Sequence, residues 1–391
     1  MKKSINLDRI NNYIIPLLSI LSIYRVFTEG ISVADIFMVI FIIYFLFSKK
    51  FKYRDLAIII CLFFYLFVSL IFSYINIGYF YQSSVLIRFG KTFIYVIYAL
   101  FSIRYSLNKM ALYKSFKIIG NLIYFGLSLQ YAFFLLFNRY LLLKIPFLNY
   151  INDEINSVDF GVIRTLDFRP SSFYLEPAHL ALFIIVHLFV VLLHKKDLDR
   201  NHLIYAGLIT VFGLLTTSST ALIILPVIWI YYFLFIYKNG LPLKKILGLL
   251  FFGFLAYLIL QFSFINNALY RVLDINSIVV TGRVFAGIEI INNLSSHDLI
   301  FGVGFGNVLN MSYMNSYLNI LYYLGRVGMG IFILTISFLF IRSNRGQKLV
   351  IAIFIILMFA SPIIISINIL NFMILFAYTS NLSVFLGRRK T

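Results

Sequence analysis

Apolar runs long enough to cross roughly 30 Å of hydrocarbon follow one another along almost the whole chain. They lie at about 11–27, 33–48, 56–76, 85–103, 116–137, 176–194, 203–217, 219–237, 246–264, 317–341, 349–363 and 365–386. Pro362 divides the last two runs, and the Thr216–Thr220 stretch divides the seventh from the eighth. In lipid every backbone N–H and C=O needs a partner within the protein, so such runs fold as helices. A soluble domain of 391 residues, 62% hydrophobic and only 12% charged, could not bury this much apolar surface. The expected fold is therefore an all-α integral membrane protein, a single polytopic domain over 1–391 with about twelve transmembrane helices. The first run carries no small-residue cleavage site and is followed at once by another, so no cleavable signal peptide is expected.

The basic residues give the orientation. They cluster in alternate connections: Lys2, Lys3 and Arg9; Lys49, Lys50, Lys52 and Arg54; Arg104, Lys109, Lys114 and Lys117. The series continues with Lys195, Lys196 and Arg200; Lys238, Lys244 and Lys245; Arg342, Arg345 and Lys348; and Arg388, Arg389 and Lys390. Together these are 23 of the 33 Lys and Arg residues, and twelve crossings place them all on one side. By the positive-inside rule that side is the cytoplasm, with both termini in it. The net charge of +19 is then a topology signal spread over short loops, and nucleic acid is not an expected partner. The single cysteine, Cys61, falls inside an apolar run and excludes a disulfide framework or a cysteine-based metal site.

Two connections on the other side are long, at about 138–175 and 265–316, and long loops of this kind usually carry function. The first contains Arg164 and ends in Arg169-Pro-Ser-Ser-Phe-Tyr-Leu-Glu176-Pro-Ala-His179 before entering an apolar run. Pro177 suits the first turn of a helix. Glu176 then falls near its N-cap, with His179 three residues on, so the two address one point beside a helix N-terminus suited to anions. Capping by Glu176 and contact of the arginines with lipid phosphates form the plainer alternative. The second loop holds Thr281-Gly-Arg283 and Phe301-Gly-Val-Gly-Phe-Gly306-Asn307, whose glycines permit turns and close approach to a ligand.

Arg88 and Lys91 lie three apart near the outer end of the fourth run. Ionisable residues at membrane depth default to function, with snorkelling to headgroups as the alternative. Guanidinium forks bind diphosphates bidentately, so Arg88, Lys91, Arg164, Arg169 and Arg283 are expected to line a basic pocket for a lipid diphosphate.

At these residues the chain resembles the Wzy-type polysaccharide polymerases, within the superfamily that includes the O-antigen ligases. The Arg169–His179 stretch resembles the close of the first large external loop in that family. Thr281-Gly-Arg283, Gly302-Val-Gly-Phe-Gly-Asn307 and the stretch from Asn315 to Gly325-Arg326-Val-Gly328 resemble the second, and Leu215-Thr-Thr-Ser-Ser-Thr220-Ala resembles a Ser/Thr-rich break between helices. The ligases place a His immediately before the position of Asn315. Here it is Met314, whose thioether accepts no proton, so polymerase is the better reading.

The resemblance implies a metal-independent, cofactor-free glycosyltransferase of the GT-C type in the bacterial cytoplasmic membrane. It would join undecaprenyl-diphosphate-linked oligosaccharides, as donor and acceptor, into O-antigen, capsule or exopolysaccharide, beside a flippase and a chain-length regulator. Glu176 is then the candidate base, with His179 as its partner or orienter. Arg88, Lys91, Arg164, Arg169, Arg283, Asn315 and Arg326 are candidates for binding diphosphate or glycan. A ligase-type glycan transferase and a lipid-linked oligosaccharide flippase are the alternatives.

Overall fold

A computed structural model describes residues 7–26, 30–49, 53–76, 82–150, 168–194, 200–236, 253, 286–307 and 314–380. The described chain is dominated by helices, and all but one of the expected runs coincide with one. The exception, 246–264, lies outside the described residues apart from Gly253, as do Arg164 and Arg283. Five helices are long and apolar enough to cross a membrane and several shorter ones are apolar, which fits an all-α membrane protein. The chain divides into two compact units, one of Met1–Ile36, Ser106–Asp274 and Leu375–Thr391, the other of Phe37–Tyr105 and Ile275–Ile374.

In the first unit, α1 (Leu7–Leu21) lies along α5 (Lys109–Phe137). α5 starts well before the apolar run that marks it in the sequence. Asn108 caps it by accepting from the Ala111 N–H at 3.0 Å, which lets basic residues ride its first turns. Buried amides bind the pair: Asn11 Nδ2 donates to Ser106 Oγ at 2.7 Å, and Asn12 Oδ1 accepts from the Asn108 N–H at 2.9 Å. Of the next helices, α6 (Pro177–His194) packs against α5, α7 (Arg200–Leu215) packs on α6, and α8 (Ser219–Tyr231) packs on α6 and α7.

Side-chain pairs fix the directions. Tyr113 stacks on His194 with ring centroids 4.1 Å apart, and Tyr124 meets His187 further along, so α5 and α6 are antiparallel. Tyr113 also faces His202, Tyr205 bonds Asn121 and Tyr131 bonds the Leu215 carbonyl, so α5 and α7 run the same way. α6 is apolar all round, as a central helix should be, and 78% of its span is buried within the protein. A two-stranded antiparallel ladder, β1 (Tyr24–Arg25) on β2 (Asn149–Tyr150), pairs Tyr24 with Tyr150 and Arg25 with Asn149.

The chain enters the second unit within α2 (Val33–Ser48). Ser32 and Asp35 cap this helix reciprocally, at 2.8 and 3.2 Å, in the manner of a capping box. The unit then contains α3 (Tyr53–Asn76), α4 (Gln82–Phe101), the short α9 (Ala286–Asn292) and α10 (Ser296–Phe301), α11 (Ser316–Arg342) and α12 (Arg345–Ala360). Pro362 ends α12 as expected, and a 3-10 turn leads to α13 (Asn368–Thr379), whose last residues return to the first unit. Only 11% of the α11 span is buried, so its apolar flank suits lipid.

α11 is broken at Gly325, where φ is 65° and ψ is −168°. The break deprives the carbonyls before it of their helical partners, and neighbouring elements supply new ones. Val303 N donates to Tyr322 O at 2.9 Å and Gly304 N to Tyr323 O at 3.2 Å. From α3, Ser69 Oγ donates to Tyr323 O at 3.1 Å and Tyr65 OH to Leu324 O at 2.9 Å. A Cβ on Gly304 would run into the Ser73 backbone, so only glycine lets the 302–307 strap lie this close to α3.

Candidate functional site

The Arg169–His179 stretch is docked on the end of α5 by a buried glutamine that the sequence reading passed over. Gln130 is fully buried. Its Oε1 accepts from the backbone N–H groups of Ser171 at 3.1 Å and Ser172 at 2.7 Å. Its Nε2 donates to Leu141 O at 2.8 Å and to the Tyr140 hydroxyl at 3.2 Å. One carboxamide thus satisfies two loop amides and a loop carbonyl that would each cost about 1–3 kcal/mol if buried unpaired.

Around it, Ser171 Oγ donates to Tyr174 O at 2.6 Å, and Ser172 Oγ donates to the Ile123 carbonyl at 2.8 Å. The second bond holds Ser172 at a φ of 50°. Gly126 leaves the space: a Cβ there would meet Ser172 Oγ, Leu143 and Phe173. Phe168 stacks on Phe134 at 3.9 Å and meets Tyr131 edge-on at 5.1 Å. Tyr174 reaches α1, its hydroxyl 2.9 Å from Ser19 Oγ, and burial pushes its phenol pKa up, which keeps it neutral.

On this frame the ionisable groups differ in exposure. Arg169 is half-buried, and Glu176 and His179 are exposed. Glu176 occupies the N-cap position, its carbonyl accepting from His179 N at 3.1 Å and Leu180 N at 3.3 Å. A carboxylate and an imidazole therefore sit at the start of a long helix, with Arg169 on the segment that leads into it, residue types able to bind an anion and move a proton. The turn between α7 and α8 lies at the same end, since Tyr131 joins Phe168 to the Leu215 carbonyl. There Thr217 is buried at a φ of 55°, with no hydrogen-bond partner for its hydroxyl among the described residues.

The remaining described candidates belong to the second unit. Arg88 Nη1 lies 3.5 Å from the Tyr323 hydroxyl, beside the strap, and Lys91 is half-buried one turn on along α4. Asn315 caps α11, its Oδ1 accepting from Leu318 N at 3.0 Å. Arg326 is exposed just past the break. Met314 is buried among Phe305, Tyr322 and Tyr323.

Two polar features of the first unit had weak sequence signals. Gln130 is a lone glutamine inside an apolar run, and His187 lies in the middle of α6. His187 is fully buried against Gly120 and bonds the Tyr124 hydroxyl through Nδ1 at 2.7 Å. A cavity of about 250 Å³ beside this pair is lined by Asn121, Tyr124, Ser128, Tyr205 and apolar residues of α5 and α7. In comparisons with protein-family models, curated proteins and solved structures, nothing matches this chain.

Proposed function

We propose that this protein is a polysaccharide polymerase, a metal-independent glycosyltransferase of the GT-C type. It joins undecaprenyl-diphosphate-linked repeat units on the outer face of the bacterial cytoplasmic membrane. The observation that carries this reading is the Gln130 frame, which docks the segment bearing Arg169, Glu176 and His179 near one end of α5. Chemistry at that place suits a substrate whose tail stays in lipid while its diphosphate and sugars reach water.

In the proposed reaction Glu176 takes the proton from an acceptor hydroxyl on the incoming repeat unit. The resulting oxygen attacks the anomeric carbon of the growing chain. The bond from that carbon to the lipid diphosphate breaks, and the diphosphate leaves with the electron pair. Arg169 offsets the charge that develops on it, and His179 orients the carboxylate. The burial of Met314 in an apolar cluster favours polymerase over ligase, because the ligase position then offers no proton acceptor.

The test is the glycan ladder from cells deleted for this gene and complemented with variants. Wild type should restore a ladder from single-repeat products. Glu176→Gln should lower polymerisation by about 10²–10⁴-fold, Arg169→Ala should also abolish the ladder, and Glu289→Gln, an exposed carboxylate of α9, should leave it intact. A full ladder with Glu176→Gln would sink the assignment of the base. A normal ladder left on its lipid carrier would point to ligation, and loss of all outward-facing repeat units to transport.

A further inference from the structure

The connection after α5 is apolar where a loop in water would be polar. Between Asn138 and Tyr150 its only charged residues are Arg139 and Lys144, both basic, among Tyr140-Leu-Leu-Leu143 and Ile145-Pro-Phe-Leu148. It continues an apolar helix end, since Leu135, Leu136 and Phe137 in the last turn of α5 are all exposed.

The tip is a tight turn, Ile145-Pro146-Phe147-Leu148, closed by Leu148 N donating to Ile145 O at 3.3 Å. Proline precedes a residue at positive φ, the pattern of a type II turn, whose third residue is ordinarily glycine or asparagine. Here that residue is Phe147, at a φ of 66° with its ring fully exposed. The left-handed backbone is strained for a residue with a Cβ, and an uncovered aromatic ring forgoes the gain of burial. Both costs fall on one side chain that a glycine would avoid.

The turn is also held firmly. Ile145 N donates to the Tyr24 hydroxyl at 3.1 Å, and Tyr24 stacks on Tyr150 at 5.2 Å. Lys144 Nζ lies over the Tyr150 ring at 5.3 Å and 3.4 Å from Asn149 Oδ1. Behind the tip, the Leu141 carbonyl is held by Gln130. Phe147 is therefore displayed on a rigid support.

We infer that the 138–150 loop is an interfacial anchor whose partner is the phospholipid bilayer itself. Phe147 and Leu142 enter the bilayer to about 5–10 Å, the depth of an interfacial apolar face, while Arg139 and Lys144 meet lipid phosphates. The charge of the loop matches those phosphates, and its apolar surface continues the exposed end of α5. Because Gln130 bonds both Leu141 and the Ser171–Ser172 amides, the anchor also sets the height of the candidate site above the membrane. The inference does not depend on the polymerase reading.

The test uses the full chain, one copy per phospholipid nanodisc, with its single tryptophan removed by Trp229→Phe and a reporter introduced by Phe147→Trp. Lipids brominated near the headgroup end of the acyl chains should remove most of the reporter's emission, deeply brominated lipids less, and aqueous acrylamide little. Leu142→Trp, at a second exposed position, should behave in the same way and serves if the first variant does not fold. Red-shifted emission quenched by acrylamide and indifferent to bromine would overturn the anchor. So would blue-shifted emission untouched by bromolipid, which would mean that the protein covers its own loop.

Discussion

The Arg169–His179 stretch and the Gly302–Asn307 strap both stand out in the sequence as irregular segments between apolar runs. The structure uses them in opposite ways. The first takes its support from a neighbouring helix through Gln130, which leaves Glu176 and His179 exposed. The second spends its own backbone amides on the carbonyls of a broken helix, and its glycines approach protein rather than open space. A glycine-rich turn and a polar turn look equally functional until the fate of each backbone hydrogen bond is known. Where those bonds are made by something else, the side chains are left for chemistry.

Gly325→Ala is the severest way to break this contrast. The substitution adds a Cβ at positive φ, for roughly 1–2 kcal/mol, and drives it into the Ile300 carbonyl and the Gly302 amide. The strap must then move, stranding the Tyr322 carbonyl at about 1–3 kcal/mol and leaving Tyr323 O only its bond from Ser69 Oγ. The expected outcome is loss of most folded protein on size-exclusion chromatography and a collapsed melting temperature in detergent. Gly330→Ala, with open space around its Cβ position, should be neutral or mildly stabilising. If Gly325→Ala folds and melts normally but loses activity, the strap serves a ligand and the contrast fails.

Gln130→Leu should have a smaller effect, with a different signature. It leaves the Ser171 and Ser172 amides and the Leu141 carbonyl without their partner, a destabilisation of about 2–4 kcal/mol if water reaches some of them. The second unit should be untouched. Hydrogen exchange should rise first at the Ser171 and Ser172 amides, and polymerisation should fall while the strap stays protected. Gln130→Glu keeps the acceptor for both amides and should lie between Leu and wild type. Equal exchange across both units in Gln130→Leu would show that this glutamine supports the whole fold rather than the loop.

Much of the architecture was legible because hydrocarbon leaves the backbone few choices. The limits of α2 coincide with an apolar run, and the breaks at Thr216–Ser218 and Pro362 appear where the sequence places them. The start of α5 was not legible from hydropathy, since Asn108 caps it several polar residues before the apolar stretch. The break at Gly325 was hidden because one glycine in an apolar helix is common, and only the strap supplying partners to its carbonyls makes the kink stable. Within the candidate site, the position of Glu176 just before α6 and of His179 in its first turn followed from Pro177 and the apolar run behind it. Gln130 could not be placed, because its partners at 141, 171 and 172 are brought to it only by tertiary folding.

Asn315 offers the mildest and most discriminating test of the comparison. By position it reads as a ligand-binding residue, yet its Oδ1 caps α11 at Leu318 N. A cap is lost with alanine, for about 1 kcal/mol, and kept with aspartate, which caps as well as asparagine does. Asn315→Ala should therefore lower the melting temperature by a few degrees, and Asn315→Asp should restore it, with polymerisation following stability in both. A binding role predicts the reverse for aspartate. A new negative charge beside a diphosphate would repel it, so Asn315→Asp would melt like wild type and lose activity. That result would move Asn315 from the helix cap to the substrate and show that the second unit, too, leaves a polar side chain for chemistry.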